Sequence, residues 1–454
     1  MGRVGSWYRE SLVGHPVGRD FRRLWAGDTV SQVGTQVGGI ALPLLAVQVL
    51  GADELEMGLL ATFENIAFLL VGLPAGAWVD RLLKRRVLVV GDLVRALALL
   101  SLPVAYLLDV LTFPLLLVVA TVTGVATVFF DVAYQSYLPS IVPSSRISEG
   151  NARLQVSHSV AHVVGPALGG LLVRAVGAPL VLLVDALSFL GSALFLGRIR
   201  HREEPPSRAG RRPLRTEIGE GLRFVVGQPL LRRIVATTAT SNAASNLGGG
   251  LLVLYVVRDL GLSEAQLGLV LSVGALGGLA GAFASGAVMR VVGEGRTIAL
   301  AILPSSAAAA LVPLAAGRSQ GTALVMLAVS MAVYGFGVVV YNVAQVSFRQ
   351  RLCPLPLLGR MNASVRFVVW GVNPVAAFVG GVVAAQAGIV TVLWAGVVLE
   401  AAAVLPVLLS PLVRMRDLPR HLDQHADRSA DEGGDETVDA PADGRRDSTE
   451  PAGP

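Results

Sequence analysis

Apolar stretches long enough for an α-helix to cross a bilayer, roughly 20 residues each, recur about twelve times along the 454-residue chain. In the first half they fall near 21–49, 56–80, 87–109, 112–137, 152–174 and 177–197; in the second near 231–257, 264–290, 297–316, 319–347, 361–385 and 388–413. Lipid offers backbone N–H and C=O groups no partner, so such spans must close their hydrogen bonds internally, as helices. The expected fold is all-α and integral to the membrane, with twelve transmembrane helices. Hydrophobic residues are 53% of the chain and charged residues only 15%, too apolar a balance for a soluble protein of this length. A single cysteine, Cys353, excludes an intramolecular disulfide framework.

Arginine placement sets the expected topology. Of the 32 Lys and Arg in residues 1–414, only Arg174, Arg258 and Arg318 fall in loops that alternate to one side; apart from Arg95 and Arg366 inside spans, the rest lie on the other. By the positive-inside rule both termini are expected in the cytoplasm of a bacterium, with the protein in its inner membrane. Two of the arginine-poor loops carry acids instead: Asp53, Glu54 and Glu56, then Asp259 and Glu264. Residues 1–20 show no charged-then-apolar-then-small pattern and are expected as a retained cytoplasmic segment. The predicted organisation is a six-helix half over 21–197, a cytoplasmic linker over 198–230, a second six-helix half over 231–414 and a disordered acidic tail over 415–454. The tail holds 11 acids and 5 arginines, so residues 1–414 carry 32 basic and 21 acidic residues, a balance of +11 against +5 for the whole chain. That basicity belongs to membrane topology, with no nucleic-acid role expected. The Arg-rich linker reads equally as a basic amphipathic segment lying against lipid.

Between the second and third spans runs Gly72-Leu-Pro-Ala-Gly76-Ala-Trp-Val-Asp80-Arg81-Leu-Leu-Lys84-Arg85-Arg86, followed by Asp92 and Arg95. Gly72 and Gly76 share one helix face and would let a neighbouring backbone approach closely. Asp80, at the helix end, is expected to pair with Arg81 or Arg95 or to cap a partner helix. A degenerate second copy lies 210 residues on: Gly58, Gly76, Asp80 and Arg86 correspond to Gly268, Gly286, Arg290 and Arg296. Arg22-Arg23 with Arg232-Arg233, Gly38-Gly39 with Gly248-Gly249, and Leu50-Gly51 with Leu260-Gly261 keep the offset; Asn151-Ala152 with Asn362-Ala363 and Gly169-Gly170 with Gly380-Gly381 shift it to 211. The chain is therefore two half-length copies in parallel order.

The hairpin resembles the Gly-x-x-x-Asp-Arg loop signature of the major facilitator superfamily, with Leu83 where that family usually has Gly. Residues 165–170, Gly165-Pro166-Ala-Leu-Gly169-Gly170, resemble the element that distinguishes the superfamily's antiporters. The stretch Phe129-Phe130-Asp131-Val-Ala-Tyr134-Gln135 resembles actinobacterial efflux-type members, and residues 20–414 as a whole resemble the macrolide-efflux and enterobactin-exporter-like group. The resemblance implies two pseudo-symmetric six-helix halves around a central cavity lined by spans one, four, seven and ten. It also implies a conformational role for Gly76, Asp80, Arg81, Arg86, Asp92, Arg95, Gly165, Pro166 and Gly169.

Ionisable groups inside a membrane are expensive and so mark function or a paired structural contact. Asp28, Gln32 and Gln36 form one stripe at i, i+4, i+8 on the first span, facing the implied cavity; the alternative is an Asp held by Arg22 and Arg23. Glu64 has no cationic neighbour in sequence, and a lone carboxyl in an apolar span can carry a proton. Asp131 suits either coupling or structure. His158 and His162 stand one turn apart; they are read as a titrating pair or as plain helix contacts, with no metal expected because no Glu follows the first His. Asp185 and Glu400 are read as structural. In the second half Asn242, Asn246, Tyr341, Asn342, Gln345, Arg366, Trp370 and Asn373 are cavity candidates, an amide-rich and aromatic-dotted set suited to amphipathic molecules.

The phosphate loop Gly-x-x-x-x-Gly-Lys-Ser/Thr is absent from the sequence, whose single lysine is Lys84. Transport would then run downhill or on an ion gradient, and one charge crossing 100 mV is worth about 2.3 kcal/mol, a gradient of roughly tens-fold. The expected protein is not an enzyme and needs no cofactor: a monomer in the bilayer exporting a hydrophobic or amphipathic small molecule in exchange for protons. An importer of a nutrient or metabolite on the same fold, and a membrane-embedded enzyme or receptor, are the alternatives. Removal of residues 417–454 is expected to leave flux and insertion unchanged, because the segment lacks the apolar content to pack; a transport assay on the truncated chain checks this.

Overall fold

The computed structural model describes residues 18–79, 81–143, 146–201, 203, 214–353 and 357–415. Asp80, residues 1–17, residues 202 and 204–213 of the linker and nearly all of the acidic tail lie outside them. The described residues fall within one compact unit.

The first half contains α1 (Arg19–Gln48), α2 (Glu54–Val79), α3 (Lys84–Leu107), α4 (Phe113–Ile141), α5 (Ile147–Val176) and α6 (Ala178–Gly197). A linker helix, α7 (Leu214–Gly227), precedes α8 (Pro229–Gly249). The second half continues with α9 (Glu264–Val292), α10 (Glu294–Leu314), α11 (Gln320–Leu352), α12 (Gly359–Ala387) and α13 (Ile389–Leu408). Among the described residues eleven helices are long and apolar enough to span a bilayer. The remaining expected span is present as α8, but Thr237, Thr238, Ser241, Asn242, Ser245 and Asn246 make it markedly more polar. It runs on through Leu252–Leu254 into a π turn at Tyr255–Asp259. Several helices outrun the apolar stretches expected from sequence, α4 ending at Ile141 and α11 at Leu352. Apolar sequence marks the lipid layer, whereas a helix continues into water until a cap or a proline stops it.

Local chemistry explains the corners. Ser263 caps α9, its Oγ accepting from Gln266 N at 3.4 Å while its own N donates to Gln266 Oε1 at 2.8 Å. Gly177 and Gly388, 211 residues apart, turn α5 into α6 and α12 into α13 with the same φ of 84°, a conformation that favours glycine. At the arginine-rich end the Glu203 carboxylate accepts from the first amides of α3, Lys84 N and Arg85 N, both at 2.7 Å. Asp20 accepts from Arg200 N and His201 N at 3.1 and 3.0 Å. The linker helix docks on the second half: its Glu220 pairs with Arg360, and a methyl on Gly221 would stand 2.5 Å from Arg360 O.

Large apolar side chains such as Leu97, Leu107, Leu194, Phe283 and Leu409 are more than half exposed, which fits a lipid-facing surface and would be an aggregation liability in water. The buried apolar residues are unevenly joined. At the end carrying the acidic loops, Leu44, Leu45, Met57 and Leu60 of the first half share one cluster with Leu251, Leu254, Leu267 and Val270 of the second. At the arginine-rich end each half keeps its own cluster, around Phe21, Leu88 and Tyr137 in one and Leu231, Met361 and Val365 in the other.

Candidate functional site

The halves meet along two seams related by the sequence repeat. In the first, between α2 and α12, a methyl on Gly58 would lie 2.4 Å from Gly381 Cα. In the second, between α5 and α9, a methyl on Gly268 would lie 2.3 Å from Pro166 O, and one on Gly170 would lie 2.2 Å from Glu264 O. Gly58 and Gly268 are repeat partners, as are Gly170 and Gly381. Only hydrogen at these positions allows backbone to touch backbone. Polar contacts lock the same end: Arg258 pairs with Glu54, Gln48 donates to Glu264, and Ala167 N donates to Ser272 Oγ at 3.0 Å. Among the described residues the hydrogen bonds and ion pairs between halves all lie toward this end.

The opposite end is parted. Gly72 and Gly76, expected to receive a neighbouring backbone, have no heavy atom within 4 Å of an added methyl. The close approach is made instead at Gly58, because the halves diverge toward the hairpin. Both glycines line a cavity of about 220 Å³ with Phe68, Asp131 and Gln135 of the first half and Arg366 and Trp370 of the second. Phe68 and Trp370 touch across it with centroids 4.7 Å apart, and the Arg366 guanidinium stands 5.4 Å from the Trp370 ring. Asp131 thus faces an arginine of the other half, and it also interacts with Arg95 and with His158.

A second, wider cavity of about 600 Å³ is lined by Asp28 and Gln32 of α1, Tyr134 of α4, and Asn151, Gln155 and His158 of α5. Two residues of the stripe on the first span, Asp28 and Gln32, and a histidine of the fifth therefore share one polar wall. Arg23 is not at Asp28: it bonds Asp20 at 3.0 Å and the Arg198 carbonyl at 2.6 Å. Asp28 is 6% exposed and its charged neighbours are the acids Asp92 and Asp131. The His158 and His162 rings stack 6.3 Å apart, and His162 Nδ1 lies 3.3 Å from Gln36 Oε1. Gly165 and Gly169 let α5 close on α1, where added methyls would stand 2.3 Å from Gln36 Cβ and 3.1 Å from Val37 O.

Beneath this wall Arg95 is buried in an ion pair with Asp92 one turn back, its guanidinium 4.2 Å from the ring centroids of both Phe130 and Phe189. Arg95 is thus engaged by Asp92, while the expected pairing of Asp80 concerns a residue outside those described. Arg81 and Arg86 border an apolar cavity beside Val87, Val94 and Phe129. Glu64 stands apart from both polar cavities. It is half-buried on α2, forms no ion pair among the described residues, and its carbonyl receives α4 at Gly124, where a methyl would lie 3.0 Å away.

Most second-half candidates spend their polar groups inside that half. Asn242 Nδ2 donates to Val369 O and Asn246 Nδ2 to Asn242 O, both at 2.9 Å; Tyr341 shares its hydroxyl with Thr238 Oγ1 at 2.7 Å; Gln345 Nε2 donates to Asn342 Oδ1 at 3.2 Å. Tyr341 and Gln345 are 4% and 3% exposed, and Asn373 Oδ1 is buried without a partner among the described residues. Sequence reasoning missed the seam at Gly58 and Gly381. Their place in the repeat was legible, but nothing in it says that these glycines touch.

Two pseudo-symmetric helical halves, sealed at one end through glycine backbones and parted around polar side chains at the other, define a membrane transporter. The Major Facilitator Superfamily profile matches residues 24–377, and the chain belongs to that superfamily. It is 26% identical over 358 residues to the multidrug efflux pump Tap of Mycolicibacterium fortuitum, spanning 77% of this chain and 85% of that one. It is also 28% identical over 247 residues to a putative sugar efflux transporter of Deinococcus radiodurans, spanning 53% of this chain and 61% of the relative. Among solved structures, a bacterial homologue of the iron transporter ferroportin in its inward-facing state superimposes with a TM-score of 0.68 at 17% identity, covering 86% of this chain and 98% of that one. The nucleoside transporter NupG does so with a TM-score of 0.66 at 14% identity, covering 86% and 98%. At these identities the structures speak for the fold alone.

Proposed function

We propose that this protein is a secondary active transporter that exports a hydrophobic or amphipathic small molecule, of drug, antibiotic or siderophore type, from the bacterial cytoplasm in exchange for protons. The observation that carries the reading is the match to a multidrug efflux pump over 77% of this chain and 85% of the relative. The parted end supports it: by the arginine bias of the loops this end faces the cytoplasm, so the wall of Asp28, Gln32 and His158 is open to a substrate arriving from inside. The protein works as a monomer with both termini cytoplasmic, its halves rocking about the site.

Coupling is assigned to Glu64. It lies inside the apolar part of the second span and forms no ion pair among the described residues, so a proton can be gained and lost there without breaking a salt bridge. Asp28 lines the wide cavity and is assigned to substrate, where a carboxylate attracts cationic molecules. In proteoliposomes with an imposed pH gradient, Glu64→Gln is expected to abolish uphill efflux while preserving downhill exchange, and Asp28→Asn to weaken chiefly the binding of cationic substrates. Uphill transport that survives in Glu64→Gln but fails in Asp28→Asn would reverse the assignment. Resistance of a drug-sensitive strain with and without expression tests the export reading itself; uptake in energised vesicles of known orientation would replace it with an importer.

A further inference from the structure

Asp185 on α6 and Glu400 on α13 are acids in the last helix of each half, and the two surroundings differ. In the first half α1 closes directly on the acid: a methyl on Gly38 would lie 2.1 Å from Asp185 Oδ2, and one on Gly34 would lie 1.9 Å from Ser188 Oγ. In the second half the repeat partner of Gly38, Gly248, approaches only the tip of Leu393, with 2.9 Å to its Cδ2. α8 and α13 still touch nearby, where a methyl on Gly396 would lie 3.2 Å from Ala244 O. Beside this contact lies a cavity of about 230 Å³ whose lining includes Gly248 and Leu393, Val312 of α10, Ser330 and Tyr334 of α11, and Glu400.

Nearly all of that wall is hydrocarbon, yet one carboxyl lies in it half-satisfied. Glu400 is 3% exposed; Oε1 accepts from Ser241 Oγ at 2.9 Å, and Oε2 is buried with no hydrogen-bond partner among the described residues. Ser330 Oγ is likewise buried and unpartnered, while Tyr334 shares its hydroxyl with Ser245 Oγ at 2.8 Å near the exposed rim. No basic residue among those described forms an ion pair with Glu400. A buried acid in this position either holds its proton or pairs with a cation. A proton would satisfy the oxygen but leaves the apolar space unused, whereas a cavity of only ~150 Å³ is enough to bind benzene.

We propose that this cavity is a binding site for a small lipophilic ammonium ion, its charge on Glu400 and a single ring or short alkyl group against Val312 and Leu393. The site lies within one half, away from the cavity wall of Asp28 and His158, and its occupation requires no transport. Because Ser241, Ser245 and Gly248 belong to α8, an occupant would brace that helix against α13 within the second half.

Binding to the purified full-length chain tests the site independently of flux. The probes are benzyltrimethylammonium and its uncharged carbon analogue neopentylbenzene. The wild-type chain is expected to bind the cation at least tenfold more tightly than the neutral analogue; Glu400→Gln removes at least tenfold of the cation's affinity and leaves the analogue's unchanged. Ala309 of α10 also lines the cavity; Ala309→Leu, which fills the space and keeps the carboxyl, is expected to weaken both probes, and it locates the site if Glu400→Gln fails to fold. Equal affinity of the wild-type chain for the two probes, or undiminished cation binding in Glu400→Gln or Ala309→Leu, overturns the proposal. So does loss of cation binding in Asp28→Asn with its retention in Glu400→Gln, which would put the cation in the wide cavity.

Discussion

Gly58→Val is expected to abolish transport in a protein that still inserts and folds within each half. The methyl branch point alone would sit 2.4 Å from Gly381 Cα, a backbone atom that no rotamer change can move aside. Relief requires the two halves to separate along this seam, and overpacking of this kind costs on the order of 1–3 kcal/mol. Each 1.4 kcal/mol shifts a two-state population about tenfold, so the form sealed at the acidic-loop end falls by roughly one to two orders of magnitude. Labelling of a cysteine introduced beside the seam should rise from the side of the acidic loops as flux falls. Gly268→Val, the repeat partner, meets Pro166 O at 2.3 Å and should do the same. Gly76→Val is the contrast: with nothing within 4 Å the present conformation accepts it, and if the hairpin end closes in the other state the variant is trapped as seen here. Normal flux in Gly58→Val would mean that this seam does not open and close during transport. The Arg258–Glu54 pair across the same end is exposed enough that its loss alone should matter little, within about 1 kcal/mol.

The second large effect is on stability. Arg95→Leu leaves the Asp92 carboxylate, 0% exposed, without its cation, and removing one partner of a buried pair costs on the order of 3–5 kcal/mol. It also removes the guanidinium lodged between Phe130 and Phe189. Thermal unfolding of the purified protein should drop by many degrees or the variant should fail to accumulate. Asp92→Asn combined with Arg95→Leu removes both charges and is expected to recover much of the loss; a double variant as unstable as Arg95→Leu would show that the aromatic sandwich, not the ion pair, dominates.

The number of spans, their helical nature and the two-copy architecture were legible because each rests on one-dimensional chemistry. Lipid demands a minimum apolar length and an internal hydrogen-bond ladder, so span count can be read without knowing any contact. α8 shows where that reading strains: its threonines, serines and asparagines make it the least lipid-like span, and it is recognisable chiefly as the repeat partner of α1. Periodicity also puts Asp28 and Gln32 on one face, and these two do line one cavity.

Chemistry acting along the chain thus settles the all-helical membrane fold, the doubled order of its helices and the identity of the charged groups placed at a cost inside them. Which of those groups meet is a matter of packing between helices. Arg95 lies close to Asp80 in sequence but is buried against Asp92; Arg23 turns to Asp20 and the Arg198 carbonyl instead of to Asp28. Gly58 finds Gly381, more than 300 residues away, while Gly76, the more conspicuous glycine in the sequence, touches no one. The reason is physical: propensity and hydropathy act along one helix, whereas the rotation of a helix about its axis and the tilt of one half on the other are fixed by close packing of side chains from both, which no single segment encodes.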